Sequence, residues 1–220
     1  MTLIQRSDTE LIDAALGGDR RSLSTLIERY TPFVFNLALK MFARRSEAED
    51  ITQAVFTVVI TSLRTFRRES AFSTWLYRIA VNQCLSTVRK SGEAVSFETF
   101  FDEVARVAVP PEDEAPLIDE ATVEELRVRC TSGMLLCLDR DQRITFILGA
   151  MLGVGDSVAA EVLGISRANF RVRLHRARSD LESWMKARCG LVDANNPCSC
   201  PKKARGYLKA GLLDSNSRTF

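Results

Sequence analysis

Along almost the whole chain, apolar residues recur at steps of three and four and strand-like alternation never persists, which predicts an all-α fold. Ser7–Asp8 opens a short helix that closes at Gly17–Gly18. From Arg21 to about Arg44, Leu23, Leu26, Ile27, Tyr30, Val34, Leu37, Ala38 and Met41 form one stripe, with Pro32 a candidate kink. Ser46–Glu47–Ala48–Glu49 is a cap-like start with acids in the first turn, and its helix runs to about Leu63. Ser73 or Thr74 caps another, to about Arg89. The pattern returns from Ala121 to about Cys137 and from Asp139 to Leu152. A short helix then spans Asp156 to about Leu163, Gly164–Ile165 makes a turn, and a longer helix runs from Ser166 to about Lys186. That is a helix-turn-helix signature: Ala159 and Ala160 permit close helix crossing, and Gly164 permits positive φ.

Charge divides this helical string. Between Glu93 and Glu120 nine acids face one base, Arg106, and Pro110, Pro111 and Pro116 fall among them. This stretch reads as an acidic linker, partly disordered. The expected organisation is therefore a helical domain at 1–91, a linker at 92–120, a helix-turn-helix domain at 121–187 and a cysteine-containing extension at 188–220.

On the second helix of the helix-turn-helix, Phe170, Leu174, Ala177, Leu181, Trp184 and Met185 share a core-facing stripe. Seven bases face two acids between Ser166 and Arg188. A helix entering the major groove reads bases with its first turns, so Ser166, Arg167, Asn169 and Arg171 are candidates for base contacts. Arg173 and Arg176 lie later and suit phosphate.

In the front half, Ile51, Val55, Val58, Val59 and Leu63 form the buried stripe of the helix over 48–63, with Asp50, Gln53 and Thr57 opposite. Phe56 and Ile60 border that polar face. Two readings stand for Phe56: an anchor of a protein-docking surface, or a residue that widens the core. The next segment, Phe66–Lys90, interleaves Arg67, Arg68, Arg78, Arg89 and Lys90 with Phe66, Phe72, Trp75 and Tyr77. Bases interleaved with aromatics suit single-stranded nucleic acid, with core aromatics under a basic surface as the other reading.

Ala48–Phe56 (AEDITQAVF), Phe72–Asn82 (FSTWLYRIAVN) and the pair Gly164–Ser166 and Arg173–Arg178 (GIS, RLHRAR) resemble the extracytoplasmic-function group of bacterial sigma factors. The resemblance covers about 20–90 and about 122–187. It implies that the helix bearing Asp50, Gln53 and Phe56 docks on the clamp helices of the polymerase largest subunit. It implies that Arg67, Arg68, Phe72, Trp75, Arg78 and Asn82 melt and read the −10 element, and that the helix from Ser166 reads the −35 element as duplex. The implied partners are core RNA polymerase and promoter DNA, with an anti-sigma factor as a further class. Two positions depart from the family pattern: Leu138–Asp139 lacks the usual proline, and Phe170 stands where a β-branched residue is common.

The remaining composition narrows the alternatives. The chain has 220 residues, 46% of them apolar, and a net charge of +2. No apolar run suffices to span a bilayer and the N-terminus lacks a signal-peptide core, so a cytosolic protein without membrane insertion is expected. With His175 the only histidine and no nucleophile–base pair or phosphate-cradling glycine loop, an enzyme is not expected. A free-standing helix-turn-helix regulator is the other class the sequence admits, although it needs no melting segment. Cys84, Cys130 and Cys137 sit among apolar neighbours and read as core. Cys189, Cys198 and Cys200 do not: the turn Asn195–Pro197 folds them together, and Lys202, Lys203 and Arg205 would favour thiolate. They are candidate ligands for Zn²⁺ or Cu(I), in an extension that resembles the cysteine-containing tails of some metal-responsive sigma factors.

Overall fold

The computed structural model describes residues 6–88 and 95–213. Arg89, Lys90, Glu93 and the expected boundary at 91/92 lie outside them. Among the described residues are ten α-helices and no strand: α1 (Asp8–Leu16), α2 (Arg20–Phe42), α3 (Arg45–Ser62), α4 (Phe72–Val88), α5 (Phe97–Arg106), α6 (Glu120–Cys137), α7 (Arg140–Phe146), α8 (Asp156–Leu163), α9 (Arg167–Lys186) and α10 (Cys200–Lys209). The expected all-α class is therefore what the chain adopts. The chain separates into two compact units, one of residues 1–92 with 147–172, the other of 93–146 with 173–220.

In the first unit, Ser7 caps α1 in a reciprocal capping box with Glu10, and Asp19 caps α2. α2 continues through Pro32. Leu26, Val34, Leu37 and Met41 of α2 and Ile51, Val55 and Val59 of α3 are buried, as are Leu76, Ala80 and Cys84 of α4. Asp8 accepts hydrogen bonds from Arg29 and from the Tyr30 phenol, which fixes α1 on α2. Val58, expected in the buried stripe, is exposed instead, while Phe56 at the other edge is buried; the apolar face of α3 is shifted around the helix from where its sequence suggested.

In the second unit the stretch expected to be a partly disordered spacer contains α5. Ser96 caps it by accepting from Thr99 N, and Phe97, Phe100, Phe101 and Val104 fall on one side. Phe97 and Phe101 stack on Trp184 of α9 with ring centroids 5.6 and 6.3 Å away, and Arg188 lies 4.6 Å over the Trp184 ring. Val123 and Leu126 of α6 share a small core with Ala204 and Leu213, so the C-terminal extension packs on α6. α7 passes into a π-helical turn at Ile147–Met151, shortening the helix expected over 139–152.

Candidate nucleic-acid interface

The helix-turn-helix geometry comes from one residue. Gly164 ends α8 at φ +65°, a conformation that strains any residue with a Cβ, and its N–H bonds back to α8. Ser166 then accepts from Asn169 N at 3.1 Å and starts α9. Phe170, Leu174, Ala177 and Leu181 are buried, as the stripe predicted, and Trp184 and Met185 are half-buried. Phe170, the departure from the family pattern, is fully buried.

Ser166, Arg167, Asn169, Arg171 and Arg176 are exposed, and Arg173 is half-buried. Two of these arginines carry acidic partners that the sequence did not point to. Arg171 Nε donates to Asp156 Oδ2 at 2.5 Å, and Arg173 Nη1 lies 3.2 Å from Asp141 Oδ2. The available signal was an acid in the first turn of α8 and another in that of α7.

The front segment is brought together only in part. Arg67, Arg78 and Asn82 are exposed and Trp75 is half-buried. Phe72 is 4% exposed. Its ring sits in a cluster with Tyr30, Phe66 and Trp75, at centroid distances of 5.4, 5.6 and 5.7 Å. Phe72 is thus a core aromatic rather than a free stacking platform. Arg68 adopts a left-handed backbone at φ +60° and pairs with Asp13, so it ties a loop to α1. Arg78 Nη2 reaches the Glu161 carbonyl oxygen and Oε1 at 3.3 and 3.4 Å.

Phe56 is buried at 7% exposure, which favours the core reading over the docking anchor. Asp50, Gln53 and Thr57 form an exposed polar face, and Ile60, 47% exposed, extends it. The exposed large apolar residues of α3 are Val58 and Ile60, and Ile60 is the one bordering Gln53 and Thr57.

The tail folds as its turn predicted. Cys198 pairs with Cys189 in an isolated parallel bridge, and Asn196 donates to the carbonyls of Lys186 and Cys189. All six cysteines are free. Among the described residues no group of three or more His, Cys, Asp or Glu side chains is arranged so as to hold a metal ion. The expected bias toward thiolate fails. Burial pushes Cys198 and Cys200 up, outweighing Lys203 beside the first and Arg127 beside the second. Cys130 on α6 is pushed up to about 12, by burial first and then by the neighbouring Cys198, Cys189 and Cys200. Of the cysteines read as core, Cys84 is buried with its thiol up to about 12, while Cys130 and Cys137 are part-exposed.

No described helix is long and apolar enough to cross a membrane. The family model for Sigma-70 region 2 matches residues 26–93, from α2 to just beyond α4. The ECF RNA polymerase sigma factor SigM of Mycobacterium tuberculosis is 30% identical over 178 residues, covering 80% of this chain and 84% of that protein. The ECF RNA polymerase sigma-E factor of Haemophilus influenzae is 29% identical, covering 81% of this chain and 95% of its own. A solved structure of CnrH in complex with the cytosolic domain of CnrY has the same fold, with a TM-score of 0.59 at 24% identity, over 86% of this chain and 99% of that one. With an exposed basic helix set behind a glycine turn, and relatives that match it over four-fifths of its length, the chain belongs to the ECF RNA polymerase sigma factors.

Proposed function

We propose that this chain is a promoter-specificity subunit that binds core RNA polymerase and directs initiation at promoters carrying −10 and −35 elements of its own. The observation that carries the reading is the exposed basic start of α9 behind the positive-φ Gly164, in a chain that also carries a Sigma-70 region 2. Arg167, Asn169 and Arg171 take the base edges of the −35 element, while Arg173 and Arg176 hold phosphate. Asp50, Gln53 and Ile60 on α3 form the polymerase-facing surface. A protein that covers this surface, an anti-sigma factor, is the further partner class the reading admits. Arg67, Trp75, Arg78 and Asn82 serve the −10 element, with Phe72 as support beneath Trp75. The test is reconstitution with core polymerase followed by genome-wide run-off transcription. Discrete start sites that depend on the added chain support the reading. DNA binding without any such transcripts would favour the free-standing regulator.

Within that reading Asn82 has a separable role. It is exposed on α4, one turn beyond Arg78, where an extruded −10 base would meet an amide able to both donate and accept. Asn82→Ala is expected to lower strand opening, read by permanganate footprinting, while closed-complex binding is retained. Unchanged permanganate reactivity would remove Asn82 from the melting step.

A further inference from the structure

The acidic composition of residues 93–120 suggested a loose spacer, but two glycines in the elements around α5 leave no space for a side chain. A Cβ on Gly133 of α6 would lie 2.4 Å from the Phe100 ring, and one on Gly206 of α10 would lie 2.3 Å from the Ala108 carbonyl oxygen. The tail also fastens the end of α5 chemically. Lys203 Nζ donates to the carbonyls of Val104 at 2.7 Å, Ala105 at 3.2 Å and Val107 at 2.7 Å. The last carbonyls of a helix have no partner within it, and its dipole favours a cation there. Further along, Lys209 pairs with Glu114 at 2.6 Å. α10 is itself anchored on α6, through the core it shares with Val123 and Leu126 and through Arg129, whose Nη1 donates to the Leu212 carbonyl at 3.2 Å.

We propose that the C-terminal tail is a strap that keeps the linker helix α5 folded against α6 and so limits how far the promoter-reading parts on either side of the linker can separate. The first half stands on the contacts alone; the second rests on the sigma-factor reading. A ten-residue helix spans about 15 Å at 1.5 Å per residue, and the same residues extended span up to about 33 Å. Releasing α5 therefore adds roughly 18 Å of reach, the rise of about five base pairs of duplex.

Hydrogen exchange on the full chain tests the strap, with Lys203→Met as the primary variant because it removes the ammonium and keeps most of the apolar stem. The amides of α5 are expected to exchange roughly ten-fold faster or more, the size of a lost charge-assisted hydrogen-bond set, with α3 and α4 unchanged. Gly206→Val should give the same pattern by steric exclusion. Protection of α5 equal to that of the unaltered chain in both variants would overturn the strap. Transcription with core polymerase from templates whose spacer between the two elements is lengthened in single steps tests the reach. Lys203→Met is expected to retain transcript at spacers the unaltered chain rejects; the same spacer profile with α5 released would overturn the limit on reach. Absence of specific transcripts with the unaltered chain on every template would instead overturn the sigma reading, and the limit on reach with it, while the exchange result still decides the strap.

Discussion

Phe56→Ala is expected to lower the stability of the N-terminal helices by about 3–5 kcal/mol, the range for emptying a buried aromatic site, rather than to leave a folded protein that fails to bind polymerase. The side chain is buried on α3, between the apolar stripe of Ile51, Val55 and Val59 and the polar face of Asp50, Gln53 and Thr57. Truncating it removes the wall behind that face. Gln53→Ala and Asp50→Ala change only exposed atoms and should move stability by no more than about 0.5 kcal/mol, so any loss of polymerase affinity they cause is a surface effect. Urea unfolding and binding to core polymerase, measured on the same preparations, separate the two. Phe56→Ala with full stability and lost polymerase binding would return the ring to the interface.

The same helix marks how far a sequence can be read. A wheel gives the direction in which a side chain leaves the axis, and this placed Asp50, Gln53 and Thr57 outward and Ile51 and Val55 inward, as found. It does not give the depth of the neighbours. Phe56 borders the polar face and is still covered, whereas Val58, on the expected core stripe, is not. For Phe72 the interleaved bases and aromatics left two readings open, and the −10 role came with the resemblance; 4% exposed among Tyr30, Phe66 and Trp75, the ring takes the core reading.

α5 was missed for a different reason. Phe97, Phe100, Phe101 and Val104 have helical spacing and Ser96 is a good cap, so the signal was present. Nine acids and three prolines across the wider stretch outweighed it. What the helix packs on, Trp184 of α9, Gly133 of α6 and Lys203 of α10, comes from far along the chain and has no local trace. The tail cysteines show the converse error. Their basic neighbours in sequence implied thiolates, but in the fold burial dominates and Lys203 is spent on carbonyls.

The ion pairs on α9 give, under the proposed −35 reading, the prediction with the sharpest consequence for promoter choice. Arg171 is exposed, and so salt-bridged to Asp156 at little benefit to stability. The printed contact engages its Nε, and in the proposed −35 role the terminal nitrogens of the guanidinium are the fork that would meet guanine O6 and N7. In the proposed −35 role Asp156 would act as a positioning residue, holding the guanidinium plane of Arg171 before DNA arrives. Arg171→Ala should weaken binding to the preferred −35 sequence by about 1–3 kcal/mol, roughly 5- to 150-fold, and flatten the preference at one or two positions while leaving the others. Arg171→Lys should not restore that preference, because an ammonium has no fork. Asp156→Ala should keep the same base preference with a smaller penalty, since the fork survives but is no longer held. Arg176→Ala, by contrast, should weaken all sequences alike and lower the slope of log affinity against log salt by about one. Competition binding with duplexes altered one base pair at a time, at two salt concentrations, reads all four variants. A uniform loss across the duplexes for Arg171→Ala would place that side chain on phosphate and leave base reading to Arg167 and Asn169.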